Sequence, residues 1–138
     1  MRGITAFDAD VLIYAADHEH PFQGALAALL EEAGAEDRAI GSLLLMPEIL
    51  PKPLRAGPAS TEVARLIQLL GRLRLLPMDG VIANLSVTLG AKYGLRAPDA
   101  VHLATAIAAG ADRFLTNNRK DFGDRIHEID VVFPEALG

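Results

Sequence analysis

Two aspartates, Asp8 and Asp10, interrupt an otherwise apolar stretch that reads "ITAFDADVLIYAAD". A carboxylate in apolar surroundings costs several kcal/mol of desolvation free energy unless it is paired, protonated or bound to a cation. Asp8 directly follows the run "ITAF", which we interpret as a β-strand, so its side chain is predicted at the carboxyl end of that strand. A bound cation would compensate both charges there.

Further polar side chains follow other predicted elements. Glu48 comes after the second predicted strand, in "AIGSLLLMPEIL". Asp99 lies in the first turn of a helix that Pro98 is expected to open, where the helix macrodipole favours a negative charge. Helix initiation alone could therefore explain Asp99. A late apolar strand, "DRFLT", leads directly into Thr116, Asn118 and Asp121.

These polar positions are predicted to meet at one edge of a sheet, because ligands of open parallel sheets collect at the carboxyl ends of the strands. Carboxylate and amide oxygens are the ligands that Mg²⁺ and Mn²⁺ prefer. Such an ion lowers the pKa of a bound water and neutralises a phosphate under attack. The predicted chemistry is therefore attack of a metal-activated water on a phosphate group.

The elements that must position these residues follow an alternating pattern. Short apolar runs alternate with longer segments of helical periodicity, which predicts a mostly parallel sheet covered by helices on both faces. Proline-rich residues 47–58 are interpreted as a loop between helices. Four glycines are expected to end helices in the left-handed conformation: Gly34, Gly71, Gly94 and Gly110. The predicted strands are "GITAF", "RAIGS", "RLRLLP", "DRFLT" and "HEIDVVF".

Composition sets limits on the class of protein. The chain has 138 residues, of which 51% are hydrophobic and 22% charged, so we expect a single globular domain over 1–138 with some apolar surface for a protein partner. It has no cysteine, so any metal must bind oxygen or imidazole. We find no signal peptide and no membrane-spanning run, and expect a cytoplasmic protein. A net charge of −5 means that binding to nucleic acid would need a cation or a local basic patch.

Three segments resemble one known family. They are "FDADVLIYAAD", "GSLLLMPEIL" and "LRAPDAVHLATAIAAGADRFLTNNRKDF", and together they span nearly the whole chain. They are similar to the PIN domain family and, within it, to the VapC-type ribonuclease toxins of bacterial toxin–antitoxin pairs. The last segment is the most specific.

The resemblance implies a three-layer α/β/α sandwich with a central, mostly parallel sheet, and an endoribonuclease that depends on Mg²⁺ or Mn²⁺. It also implies a homodimer and a cognate antitoxin protein. Asp8 and Asp99 match the metal-binding aspartates of the family. Glu48 matches its second acidic residue, which reaches the metal directly or through water, and Thr116 matches a threonine that helps to shape the site.

The chain departs from the family pattern at two positions. Asn118 stands where an aspartate is usual, so the predicted catalytic set of Asp8, Glu48, Asp99 and Asn118 contains one amide. An amide oxygen can coordinate but brings no charge, which weakens metal affinity. Asp121 is near enough in sequence to substitute for the missing aspartate. Asp10, where the family more often has Asn or Ser, adds a carboxylate that we expect to restore part of the charge.

Other residues near these motifs have two interpretations. His102 follows Asp99 by three residues, so the two could share a helix face. Packing near the core is nevertheless favoured over metal ligation, because the neighbours of His102 are apolar. Arg119 and Lys120 could hold RNA phosphates, although scattered surface cations are common.

Two alternative functions remain open at this level. "FDADVL" also resembles the first motif of haloacid dehalogenase-type phosphatases, in which the first aspartate is a nucleophile. That interpretation leaves "PDAVHLATA" unexplained. The other alternative is a PIN-like protein that has lost catalysis and serves as an RNA-binding module, and Asn118 supports it. Metal titration separates an enzyme from such a module.

Overall fold

A single parallel β-sheet forms the centre of the protein. The computed structural model describes residues 2–137. Within this range the five strands run in the order β3-β2-β1-β4-β5, and every neighbouring pair is parallel. All five apolar runs predicted as strands are strands, so the mostly parallel sheet is confirmed. The strands are β1 (Thr5–Phe7), β2 (Ala39–Ser42), β3 (Arg74–Leu76), β4 (Arg113–Leu115) and β5 (Asp130–Val132).

The register of the sheet brings the polar strand ends together. Phe7 at the end of β1 lies opposite Leu115 at the end of β4. The next residues, Asp8 and Thr116, therefore leave the sheet side by side. Because β1 is central and β4 is its neighbour, the carboxyl edge gathers residues that are distant in sequence.

Helices cover the sheet on both faces. Within residues 2–137 they are α1 (Ala9–Ala16), α2 (Gln23–Ala35), α3 (Leu45–Ile49), α4 (Pro51–Ala56), α5 (Thr61–Leu70), α6 (Gly80–Tyr93) and α7 (Ala97–Ala108), and a 3₁₀-helix spans Pro134–Leu137. No helix in this range is long and apolar enough to cross a membrane.

Two apolar cores lie on opposite faces of the sheet, because successive side chains of a strand alternate between faces. Phe7 packs with residues of α1, α2 and α5, such as Leu12, Leu30 and Leu66. Its neighbour Ala6 belongs to the other core, which includes residues of α6 and α7. The three-layer α/β/α sandwich is therefore confirmed.

The prediction of a loop over residues 47–58 is wrong, because α3 and α4 occupy most of this segment. Pro51 is the first residue of α4, and Pro47 and Pro53 lie in the first turns of their helices. Backbone N–H groups in a first turn have no partner within the helix, so proline is tolerated there. A proline-rich segment can therefore consist of short helices.

Two of the four predicted left-handed glycines are also wrong. Gly94 and Gly110 have positive φ angles of 66° and 73° as expected. Gly71 has a φ of −66°, and Gly34 lies inside α2. Gly34 is instead a site of close approach, because a Cβ atom there would lie 2.9 Å from the backbone oxygen of Arg72.

This contact makes a prediction about helix α2. Glycine inside a helix usually costs about 0.5–1 kcal/mol relative to alanine. We expect Gly34→Ala to lower the free energy of unfolding by at least about 1 kcal/mol. Overpacking against the backbone oxygen of Arg72 outweighs the higher helix propensity of alanine. Urea titration measures the change. Gly24→Ala, in the same helix but with open space around the added Cβ, is the control and should not destabilise. If Gly34→Ala raised the free energy of unfolding, the assignment of Gly34 as a site of close approach to Arg72 would be contradicted.

Candidate active site

Asp8 is the buried centre of the carboxyl edge. Its side chain is at the N-terminus of α1, where one oxygen accepts a hydrogen bond from the Ala9 N–H at 2.8 Å. The other oxygen accepts a hydrogen bond from the Thr116 hydroxyl at 2.7 Å. Only 5% of Asp8 is exposed. The carboxylate is thus held by one helix start and by the residue after β4.

Thr116 connects Asp8 to the turn that follows β4. Its hydroxyl oxygen also accepts a hydrogen bond from the Asn118 N–H at 3.0 Å. The Asn118 side-chain amide donates to an Asp121 oxygen at 2.9 Å and accepts from the Asp121 N–H at 3.2 Å. Asn118 and Asp121 therefore act as a pair that shapes this turn, and the side chain of Asn118 is already engaged.

Asp10 lies one residue into α1 and faces the same turn. One of its oxygens accepts a hydrogen bond from the Asn117 N–H at 3.0 Å. The other oxygen is buried and has no hydrogen-bond partner. An unpaired buried carboxylate oxygen is costly, which makes this atom a candidate ligand for a cation.

Asp99 lies in the first turn of α7, as predicted. Its side chain is 14% exposed, and the nearest cation is Arg96, whose Nε is 3.8 Å from the Asp99 Oδ2 atom. Oδ2 is buried and has no hydrogen-bond partner. Since Arg96 is largely exposed, this ion pair contributes little, and Asp99 offers a second buried oxygen without a hydrogen-bond partner.

Glu48 and His102 form a contact that the sequence analysis missed. His102 Nε2 lies 2.7 Å from Glu48 Oε1, and the imidazole is buried on α7. The packed position expected for His102 is therefore correct, but its hydrogen bond to a candidate site residue was not foreseen. The one signal for it was the three-residue spacing from Asp99, which places both side chains on one face of the helix.

Burial and mutual repulsion perturb these carboxyl groups. Burial raises the pKa of Asp8, although the nearby His102 and the Thr116 hydrogen bond partly oppose it. Burial, followed by the charge of Asp8, raises the pKa of Asp10 to about 7. The pKa of Asp99 is raised by burial and then by the charges of Asp8 and Asp121.

His102 has the opposite electrostatic role. Burial disfavours its charged form, but the hydrogen bond to Glu48 and the charge of Asp8 outweigh burial and raise the pKa of the imidazole. The site therefore combines several carboxylates whose charges repel with one imidazole that interacts favourably with three of them, Glu48, Asp8 and Asp99. Strongly perturbed groups that cluster at one sheet edge are typical of functional sites.

The donor set fits a hard divalent cation, although ligation requires side-chain movement. Among residues 2–137, no three His, Asp or Glu side chains already lie in a common metal-binding arrangement. The two buried oxygens without a hydrogen-bond partner, on Asp10 and Asp99, are the atoms that a cation would satisfy. Asp8 repels both of these carboxylates, so a cation would also relieve that repulsion.

Of the two predicted RNA-contacting cations, Arg119 has partners of its own. Its guanidinium pairs with Glu135 and lies 4.1 Å from the centre of the Phe133 ring. Arg119 thus ties the turn after β4 to the 3₁₀-helix, and part of its charge is neutralised. Lys120 is exposed on the same turn. RNA contact by either residue stays a prediction.

Comparison with known proteins agrees with this fold and identifies its family. The family model of the PIN domain matches residues 6–126, and the chain belongs to the PIN domain family. PIN domains are generally nucleases that typically use divalent metals, which supports a hydrolase. Family membership leaves the haloacid dehalogenase-type interpretation without support. A search of curated protein sequences finds no match.

Solved structures with a similar fold include a toxin–antitoxin complex and structures named VapBC2, VapBC and FitAcB. A toxin–antitoxin complex from Klebsiella pneumoniae is 26% identical with a TM-score of 0.73, and the match covers 94% of this chain and 97% of that chain. VapBC2 from Rickettsia felis, bound to a DNA fragment from its promoter, is 19% identical with a TM-score of 0.76, covering 94% and 98%. FitAcB from Neisseria gonorrhoeae is 19% identical with a TM-score of 0.72, covering 96% and 99%. The last two matches show the fold alone.

The raised pKa of Asp10 predicts that replacing its carboxylate with a neutral amide increases the free energy of unfolding at high pH. Asp10 titrates near 3.8 when unfolded and at about 7 when folded, so the folded protein loses stability as the pH rises between these values. In chelator, we expect Asp10→Asn to raise the free energy of unfolding at about pH 8 by about 1–2 kcal/mol, after allowance for partial exposure. The gain should vanish below about pH 4.

Chemical denaturation at several pH values measures this difference. Asparagine keeps the acceptor for the Asn117 N–H, so the variant changes charge with little change in shape. Asp124→Asn, at an exposed position, is the control and should show no gain. Equal stability of Asp10→Asn and wild type at high pH would show that Asp10 is not electrostatically strained.

Proposed function

We propose that this protein is a divalent-metal-dependent endoribonuclease and the toxin of a toxin–antitoxin pair. The observation that carries the proposal is that Asp10 and Asp99, beside Asp8 at the carboxyl ends of the strands, each have a buried oxygen without a hydrogen-bond partner. Membership of the PIN domain family supports the nuclease activity. The Klebsiella pneumoniae structure, a toxin–antitoxin complex, supports the toxin assignment.

In the proposed mechanism, Asp8 and Asp99 would hold Mg²⁺ or Mn²⁺, the buried Oδ1 of Asp10 would face the same ion, and Glu48 would assist directly or through water. When bound, the ion supplies a hydroxide nucleophile near neutral pH and neutralises charge on the phosphodiester. Thr116 keeps the Asp8 carboxylate oriented through its hydroxyl. In this proposal Asp10 would supply the charge that Asn118 lacks, so that the amide at position 118 would be compatible with metal binding.

In this proposal Asn118 and Asp121 do not hold the ion themselves but shape the turn after β4, next to the proposed ligands. Their reciprocal hydrogen bonds shape the turn that presents Thr116 and the Asn117 N–H. Asp121 is also close enough to Asp99 to raise its pKa. Asp121 thus supplies negative charge near the place where the family usually has an aspartate. Lys120 is the better candidate for a phosphate contact, since Arg119 is paired with Glu135.

The central test is cleavage of a mixed-sequence fluorescent RNA. Purified protein is incubated with Mn²⁺, with Mg²⁺ or with chelator, alongside Asp99→Asn. We expect metal-dependent cleavage by the wild type and a loss of at least about 100-fold in Asp99→Asn, because the substitution removes a proposed ligand charge. The fold should survive, since Asp99 lies at a helix start outside the apolar cores.

The control variant is Asp124→Asn, which removes an exposed carboxylate from the turn region and should cleave like the wild type. Circular dichroism and the unfolding midpoint establish that both variants are folded. Full activity of Asp99→Asn, or cleavage in chelator, would contradict the proposed mechanism.

A catalytically inactive PIN-like RNA-binding module is the second candidate function. One observation favours it: Asn118 brings no charge, and its side chain is engaged by Asp121. Mn²⁺ titration separates the candidates, because the enzyme requires binding that depends on Asp8 and Asp99. RNA binding without metal binding would favour the module.

The proposed partners are an antitoxin protein and a second copy of this chain. The antitoxin follows from the toxin–antitoxin complex to which the chain is similar. The homodimer is supported by an apolar groove of about 660 Å³ whose lining contains no charged residue. Its exposed members include Leu43, Met46 and Met78. Exposed apolar patches of this kind mark protein interfaces.

The groove predicts that a charge in it dissociates the homodimer. Met78 is 57% exposed, so Met78→Asp should leave the stability of the monomer nearly unchanged while it places a charge in the apolar interface. Sedimentation velocity should show a dimer for the wild type and a monomer for Met78→Asp. Ile67→Asp, an exposed apolar position outside the groove, is the control and should remain dimeric. A monomeric wild type would contradict the dimer.

A further inference from the structure

The contact between His102 and Glu48 joins two residues of very different exposure. The imidazole is 1% exposed, whereas the Glu48 side chain is 30% exposed. A carboxylate only accepts hydrogen bonds, so His102 donates from Nε2 to Glu48 Oε1 across 2.7 Å. A buried ring therefore holds one oxygen of a carboxylate that reaches toward solvent.

Glu48 has little local support of its own. It belongs to α3, a helix of five residues that has no side-chain cap. Pro47, within the same helix, lacks a backbone N–H. Helices this short are marginal without tertiary contacts. The position of the Glu48 side chain therefore depends on what it touches outside α3.

Helix α7 provides a firm reference for the site. It has twelve residues, and those from Ala100 to Ala106 are all buried. Asp99 and His102 are three residues apart on this helix and lie on one face. A hydrogen bond from His102 thus ties Glu48 to the same rigid element that carries Asp99.

We infer that His102 is a positioning residue. Its hydrogen bond fixes the Glu48 carboxylate at a defined position relative to Asp99. This inference rests on the proposed function, in which Glu48 assists cation binding. Carboxylates that bind metals are usually hydrogen-bonded in turn, and loss of such a partner typically costs 10- to 100-fold in metal affinity or activity. His102 does not ligate through Nε2 in this arrangement, because Glu48 occupies that atom, and its other ring nitrogen, Nδ1, is buried without a hydrogen-bond partner.

The test compares substitutions at position 102 by their effect on Mn²⁺ affinity, measured on the free protein without RNA. In His102→Gln, the side-chain amide nitrogen takes the place of Nε2, so affinity should stay within about threefold of the wild type. His102→Asn keeps an amide but is too short to reach Glu48. His102→Asn and His102→Leu should each lose about 10- to 100-fold.

Thr105→Val is the matched control for a change in buried polarity on the same helix. Thr105 is buried, and its hydroxyl donates only to the backbone oxygen of Val101. Its replacement should leave Mn²⁺ affinity unchanged. Should His102→Leu fail to fold, the comparison of His102→Gln with His102→Asn still decides the question, because both are polar and differ in reach.

A double-mutant cycle separates positioning from a general structural effect. In a Glu48→Ala background, His102→Leu should add less than about a twofold loss of Mn²⁺ affinity, because its effect acts through Glu48. An equal loss in both backgrounds would overturn the inference. A long-range ¹H–¹⁵N spectrum adds an independent measurement, since the protected Nε2–H signal of His102 should disappear in Glu48→Ala.

The outcomes distinguish this inference from the proposed function. A wild type that binds no Mn²⁺ and cuts no RNA would overturn the proposed function and the inference with it. A wild type that binds Mn²⁺, together with His102→Leu and His102→Asn variants that bind equally well, would overturn the inference alone.

Discussion

The architecture of this site depends on the desolvation of Asp8. This carboxylate cannot be left alone in its buried position, and the protein surrounds it with a helix N-terminus, a threonine hydroxyl and a nearby imidazole. Each partner comes from a different part of the chain. Their convergence requires the parallel register of β1 and β4, so the charge of one residue constrains the sheet, α1 and α7 together.

These interactions leave the site only partly compensated. Asp10 and Asp99 each retain a buried oxygen without a partner, and the carboxylates repel one another. Protein folding tolerates such a cost where function requires it, because local strain and unpaired charge cluster at functional sites. The same imbalance that destabilises the metal-free protein would favour a divalent cation, and thus the stability and the proposed activity oppose each other.

The sequence was informative where local pattern decides structure. Strands such as "GITAF" were recognised because an apolar run ends at a polar residue, and Asp8 was placed correctly at the sheet edge for that reason. Where a residue's role depends on a contact that is distant in sequence, no local pattern predicted it. Gly34 is explained by Arg72, and His102 contacts Glu48 across 54 positions of sequence. Proline was ambiguous over residues 47–58, because it suits both loops and helix starts.

Asp8 has both a structural role and a proposed catalytic role, and this combination has an evolutionary consequence. Asp10 and Asp99 each have a buried oxygen without a hydrogen-bond partner, so their loss would cost the fold little, whereas loss of Glu48 would leave the buried His102 imidazole without its partner. Asp8 caps α1 and accepts the Thr116 hydrogen bond, so its loss would damage both the fold and the proposed chemistry. Lineages that abandon the activity would therefore lose the peripheral carboxylates first. In such lineages Asp8 would be retained for its structural role after the activity is lost.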